Sequence, residues 1–204
     1  MTNNQFGVLL IFIGMLFFSV QDVLIKTIIL EVSLIQIIVF RSFFGFVMLS
    51  IFLYLTKRKI TIGSSYPVIA ILRGGLFFFG FTLFYIAVSK ITLAEATSLF
   101  FISPFFMTIF SKIILKNPIG LNRVFAIVVG FLGALLIVKP EFGELNIYMI
   151  LPIICAFTYS LSMILAKLTS DKDSLFQQTF HIYLGTLIVG SIIFLFLNIF
   201  PDIG

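Results

Sequence analysis

The sequence predicts an all-α integral membrane protein with seven transmembrane helices, and three observations carry that prediction. Apolar residues make up 61% of the 204 positions and charged residues only 10%, against about 25% charged in a soluble globule, and the mean hydropathy is +1.24. Apolar runs of spanning length recur along the chain: a hydrocarbon core of roughly 30 Å takes about 20 helical residues, and helices are required because lipid offers no partner to an unpaired backbone group. The turns between the runs are short and polar, so neighbouring spans pack antiparallel. Most of the basic residues sit in those turns. The formal charge of +5 therefore sets membrane topology and does not mark a nucleic-acid interface.

Taken in order, the predicted spans are 6–25, 34–55, 66–88, 93–115, 124–138, 147–168 and 176–200. The first has no Lys or Arg before its apolar run and no small-x-small cleavage site after it, so it is read as a retained span and not a signal peptide. The fourth carries Pro104 in its interior, and the fifth is short enough that it must borrow its flanks to cross. Counting loop cations on alternating sides places Lys57, Arg58, Lys59, Lys112, Lys116, Arg123, Lys167 and Lys172 on one face and only Lys26, Lys90 and Lys139 on the other. The richer face is expected to be cytoplasmic, with the N-terminus inside and the C-terminus outside, in the cytoplasmic (inner) membrane. Cys155 and His181 are the single residues of their kinds, so no intramolecular disulfide, zinc site or cofactor is expected.

An internal repeat follows from sliding the chain so that Leu10 meets Leu151. In that register Ser19 meets Ser160, Leu24 meets Leu165 and Lys26 meets Lys167; without a gap, Ser33 meets Ser174, Gln36 meets Gln177 and Ser50 meets Ser191. A repeat of five spans is odd, so its second copy starts on the opposite face, giving the inverted repeat found in many secondary transporters. The domains are thus expected at 6–139, a complete five-helix repeat, and 146–204, the first two helices of an inverted second repeat. Counterparts of the third to fifth spans would lie beyond Gly204, and the chain is expected to be cut short and, alone, unable to complete a transport cycle.

The order of marks from Leu72 to Pro140 is distinctive: Arg73-Gly74, Phe84-Tyr85, the turn 89–92 followed by Ala94 and Ala96, Ser103-Pro104, and Gly130 with Gly133 before Lys139-Pro140. In these residues the chain resembles the drug/metabolite transporter superfamily of the EamA type. The resemblance implies ten spans arranged as five plus five, and a carrier of small organic metabolites. One departure is plain, since many members carry Gly-Glu after the fourth helix where this chain has Lys116-Asn117.

Intramembrane polar residues mark the candidate site, because each charge costs about 2.5–3.5 kcal/mol on insertion scales. Arg41 and Arg73 each lie roughly two turns into their spans. Arg41 is read as facing a central cavity; Arg73 either does so or snorkels to the headgroups. Asp22 pairs with Lys26 one turn away, or alternatively accepts a proton or pairs with Arg41. Glu95 is a helix N-terminal acid or a coupling group. His181 falls beside the repeat counterpart of Arg41 and is either a packing residue or part of a midplane site. Pro104 breaks backbone bonding where a substrate or a neighbouring group can meet the freed carbonyl. Tyr85 and Tyr159 offer stacking surfaces, and the glycines at 74, 75, 80, 130 and 133 are expected to allow close helix approach.

Four function classes are thereby weighed. A secondary carrier of small metabolites, working by alternating access, fits the repeat and the sparse intramembrane polar groups. A retinal-type seven-helix pump needs a Lys in the seventh span, which has none, and an intramembrane enzyme would need a nucleophile or metal motif that is absent. The alternative is a non-transporting membrane subunit or fragment. The expected partners are a small-molecule metabolite and membrane lipid, without nucleic acid, and a homodimer stays open. A homodimer supplying the missing helices would need its copies in opposed orientations, against the loop-charge bias.

Overall fold

The computed structural model describes residues 3–29, 31–56, 63–138 and 146–199. The basic turn Lys57 to Lys59, the Lys139-Pro140 pair and the predicted span end at Phe200 lie outside these residues. The described chain is helical, with α1 (Asn3–Ile28), α2 (Leu34–Leu55), α3 (Pro67–Lys90), α4 (Leu93–Phe100), α5 (Ser103–Leu115), α6 (Leu121–Val138), α7 (Ile150–Leu168) and α8 (Leu175–Ile199). A one-turn 3-10 helix, Ile147–Met149, leads into α7. Six stretches are long and apolar enough to cross a membrane, α4 and α5 counting together as Leu93–Leu115, and α6 supplies a shorter apolar helix, Leu121–Leu136. The chain is a multi-pass membrane protein of about seven spans.

The fourth span is two helices in series, for a local reason. Pro104 has no N–H to give the Phe100 carbonyl, and its ring crowds that carbonyl. The helix accordingly breaks at Phe101 and Ile102, and Pro104 sits in the first turn of α5, where a missing donor costs nothing. Ser160 of α7 donates to the Ser103 carbonyl at 2.9 Å in this break. At its other end α5 stops on Lys116, which takes the left-handed conformation at φ 56°.

Helix α3 is the hub. It packs along both α7 and α8, while α2 packs on α8 and α5 on α7. Close approach of α3 and α8 rests on Gly74 and Gly185: a Cβ on Gly74 would stand 3.3 Å from the Gly185 Cα, and the reverse holds equally. Gly80 likewise admits Thr158 of α7. The expectation of close approach fails at Gly75, Gly130 and Gly133, whose added Cβ would meet nothing within 4 Å. The core gathers around Phe84, Tyr85, Ala87 and Val88 of α3 with Ile25, Ile38, Ala96 and Cys155.

Lys26 corrects another expectation. Its ammonium group donates to the carbonyls of Val88 and Ile91, the latter at 2.8 Å, and so caps the C-terminal end of α3 where unpaired carbonyls and the helix dipole favour a cation. It is not held by Asp22.

Candidate functional site

A cavity of about 400 Å³ lies among α2, α3, α7 and α8, closed on one side by Phe18 of α1. Its polar lining includes Arg41, Ser42, Arg73, Gln178, Thr179 and Thr186, and its apolar wall includes Phe77, Phe78 and Phe81. The two arginines enter from opposite membrane faces. Arg41 lies in the first turns of α2 and Arg73 in the first turns of α3, each about 10 Å along its helix at 1.5 Å per residue.

Each guanidinium is held by neutral groups. Arg41 donates to the Tyr85 hydroxyl at 2.7 Å, a hydroxyl that also accepts from Gln21 at 3.1 Å. Its charge lies 4.9 Å from the centre of the Phe81 ring and 5.9 Å from that of Tyr85, a cation–π seating that leaves the charge unneutralised. Arg73 is 5% exposed, so it does not reach headgroups. Its Nε donates to the Ser162 carbonyl at 3.1 Å and its NH1 to the Gln178 amide oxygen at 2.9 Å. Asp22 influences Arg41 through space, as Asp173 does Arg73. Among the described residues, no carboxylate lines the cavity.

The remaining sequence candidates fall elsewhere. Tyr85 is fully buried and acts behind Arg41. Tyr159 belongs to an aromatic cluster with Phe77 and Phe100, ring centres 6.2 and 5.4 Å away. Pro104 lines a separate groove with Arg123 and Phe131 of α6. Glu95 completes a capping box, accepting from the Thr92 backbone N–H at 2.8 Å while its own N–H donates to the Thr92 hydroxyl at 3.2 Å. His181 lies on the side of α8 that meets α3, its carbonyl 3.7 Å from where a Gly74 Cβ would stand, whereas its neighbour Ile182, the repeat counterpart of Arg41, lines the cavity. Gln178 and the Phe77–Phe81 wall were missed as site residues. The signal for Gln178 was present, since an amide inside an apolar span needs a partner; the phenylalanines had none that set them apart from the rest of the 28.

Residues 5–139, more than half of the chain, match the EamA-like transporter family. The chain belongs to this family. Among its relatives, the S-adenosylmethionine uptake transporter of Rickettsia bellii is 28% identical over 172 residues, covering 84% of this chain and 59% of the relative. The pseudopaline exporter CntI of Pseudomonas aeruginosa is 27% identical over 178 residues, 86% of this chain and 61% of the relative. The riboflavin transporter of Vibrio cholerae is 33% identical over 94 residues, 46% of this chain and 31% of the relative. The EamA-like chain thus spans about 59% of the length of the curated relatives it matches first. No solved structure matches it.

Proposed function

We propose that the chain forms the solute site of a secondary carrier for small anionic or zwitterionic organic metabolites, working by alternating access in the cytoplasmic membrane with its N-terminus inside. The observation that carries this reading is the charge of the cavity: two guanidinium groups, aromatic walls and, among the described residues, no carboxylate. A buried charge needs compensation, and a carboxylate or phosphate on the solute supplies it in the planar, bidentate geometry that arginine favours. Asp22, close enough to act on Arg41, is the candidate coupling acid. The aromatic wall of Phe77, Phe78 and Phe81 takes the apolar body of the solute.

Family membership supports the carrier class, and the relatives named for S-adenosylmethionine, pseudopaline and riboflavin support a small organic solute. The match to residues 5–139 supports a first repeat over 6–139, and we propose that 146–204 holds the first two helices of a second, inverted repeat. The test is ligand-dependent melting of the purified protein against a panel of anionic, zwitterionic, neutral and cationic metabolites. A solute that binds only the folded state raises Tm by mass action. The rise is expected for anionic or zwitterionic members and is expected to shrink in Arg41→Lys, which keeps the charge and loses the fork. A rise indifferent to solute charge, or unchanged in Arg41→Lys, refutes the assignment.

A further inference from the structure

We propose that Gln178 is a positioning residue that ties Arg73 of the cavity to a hydrogen-bonded clasp closing one membrane face, so that the guanidinium and the clasp move as a unit. The inference rests on the cavity being the solute site.

The clasp joins two connections that are far apart in sequence. Asp173, in the α7–α8 connection, accepts from the Ser64 hydroxyl and, at 2.9 Å, from the Ser65 backbone N–H in the α2–α3 connection. Around this centre Gln177 donates to the Gly63 carbonyl, the Tyr66 hydroxyl donates to Asp171 at 3.1 Å, and the Lys172 ammonium lies 5.4 Å from the centre of the Tyr66 ring. Asp173 is 4% exposed. Carboxylate bonds of this kind are about twice as strong as neutral ones, so Asp173 is the centre that decides whether the two connections stay together.

Gln178 links this centre to the cavity. Its amide nitrogen donates to the Asp173 carbonyl at 2.8 Å while its amide oxygen accepts from Arg73 at 2.9 Å. The amide is needed because one end must donate and the other accept; Glu keeps only the second bond, and Met keeps neither. With its Nε held on the Ser162 carbonyl, Arg73 is fixed at two points. A solute anion that draws the guanidinium toward it therefore pulls on Gln178 and on the backbone of Asp173. Cavity occupancy and clasp closure compete for one guanidinium.

The experiment reads the clasp without any solute, so it fails independently of the solute-binding assignment. In a Cys155→Ala background, Thr179→Cys places a reporter thiol in the cavity, and its modification by a charged, membrane-impermeant reagent is timed in sealed vesicles of either orientation. Ser170→Cys, on the α7–α8 connection, identifies the face that bears the clasp. Adding Gln178→Met, Gln178→Glu or Asp173→Asn to the reporter is expected to raise the clasp-face rate about tenfold, the scale of one lost hydrogen bond to a charged or buried group. The rate from the opposite face is expected to stay unchanged. Ser64→Ala, in the connection itself, is expected to act in the same direction. The proposal is overturned if Asp173→Asn raises the clasp-face rate and Gln178→Met does not, if neither does, or if the rates rise alike from both faces.

Discussion

Replacing Gly185 probes the α3–α8 contact that forms the cavity. In Gly185→Ala the new methyl stands 3.3 Å from the Gly74 Cα and 4.0 Å from the Gly74 carbonyl carbon, so the helices must part by a few tenths of an ångström. Overpacking costs roughly 1–3 kcal/mol, and the alanine returns about 0.5–1 kcal/mol through its lower backbone entropy. The net loss is therefore small, about 1 kcal/mol. Gly185→Leu has no such escape. Its branched side chain points at backbone that cannot rotate away, and the cost is expected to exceed about 3 kcal/mol. It also strains the Arg73–Gln178 bond, since Arg73 neighbours Gly74. The double variant Gly74→Ala/Gly185→Ala sends two methyls into one gap and is expected to lose more than the sum of its parts. Thermal unfolding in detergent measures these three variants together with the Gly74→Ala single. Melting of Gly185→Leu at the wild-type temperature would refute this packing.

Three other outcomes follow from single residues. Burial alone would raise the Asp173 pKa, but hydrogen bonds from Ser64 and Ser65, together with the nearby His181, outweigh it and hold the carboxyl below its ordinary value. The stabilisation is therefore complete above the unfolded-state value and is lost as pH falls through the lower folded one; melting followed into the acid range should show a slope in wild type that Asp173→Asn flattens. Lys116→Gly relieves a left-handed residue at φ 56° and is expected to stabilise by about 1 kcal/mol in the same melt, with Lys116→Ala giving no such gain. The Ser162 hydroxyl is buried without a hydrogen-bond partner, so Ser162→Ala is expected to be neutral or to raise Tm, while a loss above about 1 kcal/mol would show that the hydroxyl is satisfied.

The helices were legible because hydrophobic run length is a local property, and the break in the fourth span was legible because Pro104 acts within its own turn. Arg41 and Arg73 stood out for a similar reason: a charge in an apolar span demands an explanation wherever it occurs. What the residues do to one another was less visible. The pairing of Lys26 with the end of α3 rather than with Asp22 depends on where two helices meet, and short spacing along one helix outranked it. The glycines show the same limit, since an added Cβ would meet another helix at Gly74 and nothing within 4 Å at Gly130, a difference that no local pattern shows. Gln178 and Asp173 bind partners more than 100 positions away, a separation to which no local pattern refers.

The assignment of the cavity as a solute site is tested most directly by protection of a thiol placed in it. In the Cys155→Ala background, Thr179→Cys is modified in the presence and absence of the anionic or zwitterionic metabolite that most raises Tm. Bound solute should slow modification in proportion to occupancy, and Arg41→Lys should abolish the slowing at the same concentration. Full reactivity of the Thr179→Cys thiol at a saturating concentration of that metabolite would place its binding elsewhere and contradict the assignment.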